Sequence, residues 1–449
     1  MTKIAQLFVA LSLSVGAAER PNIVYIMADD CTFHELGCYG GQAHTPNIDR
    51  LATEGLLFER CFQTAPMCSP TRHNIYTGLY PVKSGAYPNH TFVKKGTKSL
   101  SHYLKPLGYR VALSGKTHVA PRSVFDFEYS GKKNPDFEVI ENLMKESKEA
   151  GTPFCLLACS NEPHAPWDKG DASRYPPGKV KLPPYLFDTP EMRDSFSKYL
   201  AEITYYDGQV GEILALLKKH GLEKNTLVIV TSEQGNQFPF AKWTCYDAGL
   251  QSAMIARWPG KITAGSKTPA MVEFVDLCPT FVEAAGGKVP EGLDGKSFLS
   301  VLEGKASDHK EHVYGLMTTR GIINGSDHYG IRSVRSKTHK LIVNLTPEVE
   351  FRNIQMKSPS FQSWEKRAAK GDQRAAYLVN RYKNRPAIEL YDVVKDPLEL
   401  KNIAAEGGNM EIISQLRAKL DAWMKEQGDQ GQQTELEALE RQNVRRKKK

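Results

Sequence analysis

Four short apolar runs, rich in β-branched residues, alternate along the chain with helical patterns, and this alternation constrains the fold most. The runs are "NIVYIMADD" (22–30), "YRVALSGKTH" (109–118), "PFCLLACSNEPHAPW" (153–167) and "TLVIVTSEQG" (226–235). Runs of this kind are typical of buried strands. Helical patterns lie between them, at 46–56, 98–107 and 193–220. The sequence therefore predicts an α/β fold with a large, mostly parallel sheet flanked by helices on both faces.

The pattern changes after about residue 300. The segment "YGIRSVRSKTHKLIVNL" (329–345) alternates as antiparallel strands do, and "AIELYDVVKDPLEL" (387–400) adds a further strand and a turn. An amphipathic helix is expected over 411–427. We therefore expect a large domain over 19–310 and a smaller C-terminal α+β subdomain with an antiparallel sheet over 311–427.

The two ends of the chain differ from the rest in composition. Residues 1–18 carry Lys3, an apolar segment and then small residues, the pattern of a secretory signal peptide. The alternative is a buried N-terminal strand, but "ERPNIVYIM" begins a first strand directly afterwards. Residues 428–449 are rich in glutamine and charge, and we expect a disordered tail. The apolar runs are too short for a membrane span.

Charge does not point to nucleic acid. Lysine and arginine exceed aspartate and glutamate by 59 − 51 = +8, and the last five residues supply five of these charges. The rest of the chain is only slightly basic. No nucleic-acid motif accompanies the basic end, so we expect no nucleic-acid binding.

Eight cysteines allow two interpretations in an exported chain. An even number is compatible with disulfides, whose connectivity the sequence does not give. A chain of this length builds a core that does not need them. Cys155 and Cys159 lie in an apolar run, where a small buried side chain is the simpler interpretation.

Polar residues follow each of the four apolar runs at once. In open α/β sheets, ligands bind beyond the carboxyl ends of the strands, so these residues predict one shared site. They are Asp29 and Asp30, then Lys116 and His118, then His164, and finally Glu233 and Gln234.

The acidic residues of this set suggest a metal. Adjacent carboxylates such as Asp29 and Asp30 repel each other unless a cation or a proton neutralises them. Glu233 and Gln234 would add a carboxylate and an amide oxygen, which hard cations such as calcium and magnesium accept as ligands. A helix cap or a solvated turn is the alternative for each pair taken alone, and a structural role is the alternative for each histidine.

The stretch "PMCSPTRHNIYTGLYP" (66–81) predicts a helix that begins near Cys68 and ends at Gly78. Pro70 suits a first helical turn. Arg72 follows one turn after Cys68. A helix N-terminus with an arginine nearby lowers the pKa of a thiol, which makes a thiolate nucleophile a first interpretation. A disulfide is the alternative in an exported chain.

The pattern Cys-x-Pro-x-Arg followed by "TGLYP" resembles the signature of the type I sulfatases of the alkaline-phosphatase-like superfamily. "GKTH", "PHAPW" and the upstream acidic pair accompany it, and "ELYDVVKDPLELKNIA" is similar to the ending common in sulfatases. Within that family the chain most resembles the heparan N-sulfatases, or sulfamidases. The segments that support this are "GKTHVAPRSVFDFEY", "QFPFAKW", "RSVRSKTHKLIVNL" and "SPSFQ".

The resemblance implies an alkaline-phosphatase-like fold with its catalytic domain in 19–310, and a modified cysteine. Cys68 would be oxidised to formylglycine, also called 3-oxoalanine, by a formylglycine-generating enzyme or an anaerobic sulfatase-maturating enzyme. The aldehyde hydrates to a diol, which is the nucleophile of the family. Calcium would be held by the modified residue 68 together with Asp29, Asp30, Glu233 and Gln234.

The resemblance also implies roles for the basic residues. Arg72 would orient the diol, and Lys116 would bridge the diol and the sulfate. His118 would take a proton from the spare hydroxyl, and His164 would protonate the leaving atom. Lys242 would bind sulfate; with Lys116 and His164 it would form the substrate-binding set.

One departure concerns the metal. The family usually has Asp-Asn or Asp-His where this chain has Glu233-Gln234, and each of these side chains is one methylene longer. Calcium tolerates variable geometry better than magnesium does, so we expect calcium binding to survive.

The expected function is removal of sulfate from a sulfated polysaccharide or glycosaminoglycan by an exported enzyme, periplasmic, extracellular or lysosomal. A sulfamidase-like activity on N-sulfoglucosamine is the first expectation. The alternatives are an O-sulfatase of a marine polysaccharide such as ulvan or fucoidan, a phosphonate or phosphodiester hydrolase, and an inactive relative that binds sulfated glycans.

Overall fold

The structure is a computed structural model that describes residues 20–446, with side chains described up to residue 442. The signal peptide predicted for residues 1–18 lies outside the described residues, as do the last three residues of the chain.

The main sheet contains eight strands within the described residues. In sheet order they run β4-β3-β5-β1-β6-β7-β2-β8, and β7 is antiparallel to both of its neighbours. The four predicted strands are β1, β3, β5 and β6, which lie side by side and parallel. The α/β prediction is confirmed. The strands are β1 (Asn22–Met27), β2 (Leu56–Phe62), β3 (Arg110–Gly115), β4 (Glu128–Tyr129), β5 (Phe154–Cys159), β6 (Thr226–Thr231), β7 (Gln251–Arg257) and β8 (Ser266–Glu273).

Helices cover both faces of the sheet, because the strands are apolar on both sides. On β1, Val24 and Ile26 face one apolar cluster, and Ile23 and Tyr25 face the other. Helices α1, α5 and α6 pack in the first cluster, and α2, α4, α8 and α9 pack in the second. These helices and their shorter neighbours are α1 (Pro46–Glu54), α2 (Cys68–Thr77), α3 (Pro81–Ser84), α4 (Leu100–Leu104), α5 (Phe137–Ala150), α6 (Pro190–Lys219), α7 (Asp247–Leu250), α8 (Leu277–Ala284) and α9 (Leu299–Leu302).

A second, antiparallel sheet follows residue 310, in the order β12-β11-β10-β9. Helix α12 packs on it through Leu416, Leu420 and Trp423. The antiparallel sheet and the amphipathic helix predicted from the sequence are both present. The elements of this region are β9 (Val313–Thr318), β10 (Gly330–Arg335), β11 (His339–Asn344), α10 (Pro359–Ala369), α11 (Gln373–Lys383), β12 (Ile388–Asp392), α12 (Met410–Gln427) and α13 (Gln432–Arg446).

The prediction of a disordered tail over 428–449 is wrong for the residues that the structure describes, 428–446. Most of this segment is helix α13, and Glu435 and Ala438 on it are fully buried. Arg332 on β10 is also fully buried, and it forms ion pairs with Asp429 and Glu435. Leaving a buried guanidinium unpaired is costly, so Asp429 and Glu435 are partners of a core charge rather than part of a solvated surface.

Two further features bear on the sequence analysis. Among the described helices, none combines the length and the apolarity that crossing a membrane requires. All eight cysteines lie within the described residues, and each has a free thiol. Cys155 and Cys159 are buried on β5, as the simpler interpretation of them predicted.

Candidate active site

The carboxyl ends of four neighbouring parallel strands, β3, β5, β1 and β6, lie on one edge of the sheet. A cleft of about 730 Å³ opens beyond this edge. Its lining includes Cys68, Lys116, His118, His164 and Lys242. Lys116, His118 and His164 were predicted to share one site because they follow strand ends. They lie together here with Cys68 and Lys242, which the family resemblance added.

Helix α2 carries Cys68 to the cleft. The helix begins at Cys68 and ends at Gly78, whose φ of 67° is the left-handed conformation that glycine adopts most easily. Arg72, one turn after Cys68, donates a hydrogen bond from Nη1 to the main-chain oxygen of Lys116 at 2.8 Å. Its Nε lies 2.9 Å from Glu233 Oε1. Arg72 thus ties α2 to the ends of β3 and β6.

A compact acidic cluster lies directly behind Cys68. One ligand atom each from Asp29, Asp30, Glu233 and Cys68 lies within 4.8 Å of the others, and the three carboxylates are fully buried. Gln234 completes the group, because its Nε2 donates to Asp30 Oδ1 and lies 3.1 Å from Cys68 Sγ. The longer side chains of Glu233 and Gln234 therefore reach the acidic pair at the end of β1.

Two lysines neutralise the acidic pair. Lys116 Nζ donates to Asp29 Oδ2, and Lys242 Nζ donates to Asp30 Oδ2 at 2.6 Å. Lys242 also lies over the ring of Trp243, 5.0 Å from its centroid. Both lysines line the cleft while they pair with buried carboxylates, so their ammonium groups are held in fixed positions there.

The pKa values of two buried carboxyl groups of the cluster shift in opposite directions. For Asp29, burial opposes ionisation, but the charge of Lys116 prevails and holds its pKa well below the usual range. For Glu233, burial raises the pKa well above the usual range, and Asp29 adds to this while Arg72 opposes it. Burial and Asp29 thus disfavour a further negative charge in this cluster unless a cation or a proton compensates it.

The donor set fits a hard divalent cation. Within the described part of the chain, Glu233 Oε2 and Gln234 Oε1 are buried oxygens without a hydrogen-bond partner. The two ends of a glutamine amide are distinguished only by the hydrogen bonds assigned to them, so a half-turn of Gln234 presents its oxygen to the cluster. Carboxylate and amide oxygens are the ligands that calcium takes.

The thiol of Cys68 does not behave as the thiolate interpretation requires. Burial, reinforced by the charge of Asp29, raises its pKa to about 12, although Lys116 and Lys242 act in the opposite direction. The thiol is therefore protonated at neutral pH. The desolvation of the buried sulfur outweighs the helix N-terminus, and this argues against an unmodified thiolate nucleophile.

The two predicted histidines both line the cleft. His164 donates a hydrogen bond from Nδ1 to the main-chain oxygen of Ala165 at 2.7 Å, and its Nε2 lies 3.6 Å from Asp30 Oδ2. His118 Nε2 lies 2.7 Å from His90 Nδ1. Burial and the charge of Lys116 hold the pKa of His118 well below its usual range. At neutral pH His118 is therefore a neutral ring.

Several residues of the cleft were not predicted from the sequence. Beside His90, these are Gln237, whose amide lies 3.2 Å from His164 Nε2, and the basic side chains Arg122, Lys132 and Lys133. They lie in irregular loops, where neither apolar periodicity nor a strand end marks them. Among the described residues, the lining of this cleft includes no carboxylate, and this favours an anionic ligand.

Comparisons with known proteins agree with this geometry. The model of the sulfatase family matches residues 21–287, and the model of the C-terminal region of N-sulphoglucosamine sulphohydrolase matches residues 235–360. An ulvan-active sulfatase of Formosa agariphila is 35% identical over 93% of this chain and 83% of its own length. Human N-sulphoglucosamine sulphohydrolase is 28% identical over 93% of each chain.

Two solved structures show the same fold. One, a complex with its substrate D-glucosamine-2-N,6-O-disulfate, has a TM-score of 0.70 at 20% identity and covers 92% of this chain and 99% of that chain. The other, a phosphonate monoester hydrolase from Silicibacter pomeroyi, has a TM-score of 0.69 at 18% identity and covers 92% of this chain and 96% of that chain. With a family model over more than half of its length and a relative above 30% identity, the chain belongs to the sulfatase family.

Proposed function

We propose that the protein releases sulfate from a sulfated polysaccharide, and that the bond it cleaves is an O-sulfate ester of an ulvan-like chain. The observation that carries this proposal is the group at the strand ends: Cys68 at the start of a helix, a buried acidic cluster behind it, and a basic cleft in front. Among the relatives named above, the 35% identity with an ulvan-active sulfatase favours the ester. Export, proposed from residues 1–18, would bring the enzyme to such a substrate.

Sulfatases generally use formylglycine and a divalent metal. We propose that Cys68 is the precursor of formylglycine, made by a separate maturating enzyme, and that Asp29, Asp30, Glu233 and Gln234 hold calcium. The modified residue would supply a diol, with one hydroxyl for attack on sulfur and a second whose deprotonation expels the bound sulfate as the aldehyde re-forms, and the cation would supply positive charge beside the sulfate. The remaining steps, which are binding of the sulfate and transfer of protons, would be carried out by other side chains of this protein.

Lys116 and Lys242 are placed to bind the sulfate group. Their ammonium groups lie at the cleft floor beside Cys68, and each is fixed by a buried carboxylate. Fixed charges in a site that excludes water stabilise a developing anion more than mobile surface charges do. Arg72 holds the start of α2 against the strand ends and so fixes the direction in which residue 68 faces the sulfate.

The two histidines are placed to move protons. His164 keeps Nε2 at the cleft because its Nδ1 is engaged by a main-chain carbonyl, so Nε2 is the atom that protonates the leaving oxygen. The ring of His118 is neutral at neutral pH, which suits it to accept the proton of the spare hydroxyl. Acid and base therefore stand in different environments on two loops.

An N-sulfamate is the second candidate bond. The C-terminal model that matches residues 235–360 is that of N-sulphoglucosamine sulphohydrolase, and the human enzyme of that name aligns along 93% of this chain. His164 would then protonate a leaving nitrogen rather than a leaving oxygen.

A sulfate-release assay over defined oligosaccharides separates these candidates. We expect turnover with ulvan oligosaccharides to exceed turnover with N-sulfated heparan oligosaccharides. The reverse order would favour the sulfamidase, whereas hydrolysis of aryl phosphodiesters or phosphonates without sulfate release would contradict both. Binding of sulfated glycans without turnover, in protein shown to carry the aldehyde, would identify an inactive relative.

Replacement of Lys242 or His164 by alanine should slow turnover without unfolding the protein. Loss of one fixed contact to a developing anion costs about a hundredfold to a thousandfold in rate. Steady-state sulfate release, measured beside the denaturation midpoint, checks this expectation. Lys340→Ala is the matched control, because Lys340 is a buried lysine that pairs with Asp247 away from the cleft. It should lower stability and leave the rate of the folded protein unchanged. A near-normal rate in Lys242→Ala or His164→Ala would remove that residue from the site.

A further inference from the structure

The loop over residues 85–99 joins α3 to α4 without regular secondary structure and carries His90 to the cleft. The φ angle of His90 is 59°, in the left-handed region that non-glycine residues seldom occupy. Such a conformation persists where the surroundings hold it.

Helix α13 supplies the hydrogen bonds that the main chain of this loop requires. Arg441 donates from Nε to the oxygen of Gly85 and from Nη2 to the oxygen of Phe92, each at 2.9 Å. Gln442 donates from Nε2 to the oxygen of Asn89 at 2.7 Å, directly before His90. Because buried main-chain carbonyls need partners, these donors fix the path of the loop on both sides of His90.

The helix is itself anchored to the body of the protein. Glu435 lies 2.9 Å from the fully buried Arg332, and Asp429 pairs with the same guanidinium. From the loop, the hydroxyl of Tyr87 donates to the main-chain oxygen of Thr434 at 2.9 Å. The helix therefore connects the antiparallel sheet to one wall of the active-site cleft.

His90 in turn contacts His118. The 2.7 Å separation of His118 Nε2 and His90 Nδ1 is a hydrogen bond in which one nitrogen carries the proton. His118 Nδ1 is buried and has no hydrogen-bond partner in the described part of the chain. If Nε2–H of His118 donates to His90, Nδ1 is the nitrogen left to accept a proton. The hydrogen bond on one imidazole nitrogen thus sets the role of the other.

We propose that helix α13 is a strap that holds His90 against His118, and that His90 is a positioning residue which keeps Nδ1 of His118 as the proton acceptor. The proposal rests on the proposed function in one respect, namely that His118 accepts a proton during turnover. The C-terminal segment would then contribute to the rate of turnover, although no residue of α13 needs to touch the substrate.

The experiment compares His90→Ala with His90→Asn in the full-length enzyme. Asparagine tolerates the left-handed conformation, and its side-chain oxygen accepts a hydrogen bond close to where Nδ1 of histidine does. We expect His90→Ala to lower kcat by up to about a hundredfold with KM unchanged. His90→Asn should keep most of the kcat. A rise in KM alone, or an equal loss in both variants, would contradict a positioning role.

The strap is tested with Arg441→Ala/Gln442→Ala. Its matched control is Gln433→Ala/Glu437→Ala, because the side chains of these two exposed residues of α13 form a hydrogen bond with each other and with no other described residue. We expect the first double variant to lose kcat as His90→Ala does, and to show faster amide hydrogen exchange across 85–92 with unchanged exchange in β1 and β6. The control should behave as the wild type. Wild-type kcat in Arg441→Ala/Gln442→Ala, or unchanged exchange of the loop, would overturn the strap.

Failure of the proposed function would look different. A wild-type enzyme that carries the aldehyde and releases no sulfate would refute the activity, while the exchange of 85–92 would still decide whether α13 holds the loop. A fully active His118→Ala enzyme would refute the role of His118, and with it the positioning role of His90.

Discussion

Cys68→Ala protein is expected to fold, to bind sulfated substrate and to release no sulfate. Alanine leaves the helix start and the acidic cluster in place but removes the atom from which the nucleophile is made. The remaining charges bind the anion without attacking it. Sulfate release measured by ion chromatography, beside substrate binding measured by calorimetry, checks both halves of this expectation.

Two further variants serve as controls for Cys68→Ala. Cys278→Ala removes another fully buried thiol, on α8 and outside the cleft, and should keep the wild-type rate per folded molecule. Cys68→Ser should be nearly as inactive as Cys68→Ala in a host that modifies only cysteine, because a single hydroxyl cannot both attack sulfur and later expel sulfate. Substantial turnover by Cys68→Ala would exclude residue 68 from the chemistry.

Prolonged chelation is expected to stop sulfate release, and calcium is expected to restore it. Asp29, Asp30 and Glu233 are fully buried around one point, and the cation is the partner that would neutralise them beside the sulfate. A ligand that binds only the folded state adds about 2.7 kcal/mol of stability at a hundredfold excess over Kd. The denaturation midpoint should therefore rise with calcium, which gives a readout independent of activity.

Asp30→Asn is a second test of the calcium site. It removes one negative charge from the cluster, so it should raise the calcium concentration needed for half-maximal activity. Asp308→Asn is the control, since Asp308 is exposed, pairs with Lys337 and lies outside the cleft. Unchanged turnover in protein shown by elemental analysis to contain no metal would refute the calcium assignment.

The sequence predicted the part of the fold that depends on local pattern. Strands β1, β3, β5 and β6 are apolar on both faces, so their runs stand out. Because parallel strands end on one edge, the polar residues after them could be placed together. Helix α2 was predicted with its closing Gly78 because the glycine, the proline and the apolar residues all agree.

The rest depends on contacts between distant residues. The tail was expected to be disordered because nothing near Asp429 and Glu435 in sequence indicates that they pair with Arg332. His90 was missed for the same reason, since its partner His118 lies on another loop. The pKa of the Cys68 thiol is raised by its burial and by the nearby charge of Asp29, and neither is visible in the sequence. The helix N-terminus, which is visible in the sequence, suggested a lowered pKa.

The central claim is that the reacting group is made from Cys68. The most direct test prepares the protein with different amounts of maturating enzyme, measures the aldehyde fraction at residue 68 by peptide mass and hydrazide labelling, and measures the specific activity of each preparation. The account predicts activity proportional to the aldehyde fraction and none at zero aldehyde. Full activity in a preparation with only free thiol at residue 68, blocked by iodoacetamide, would contradict it.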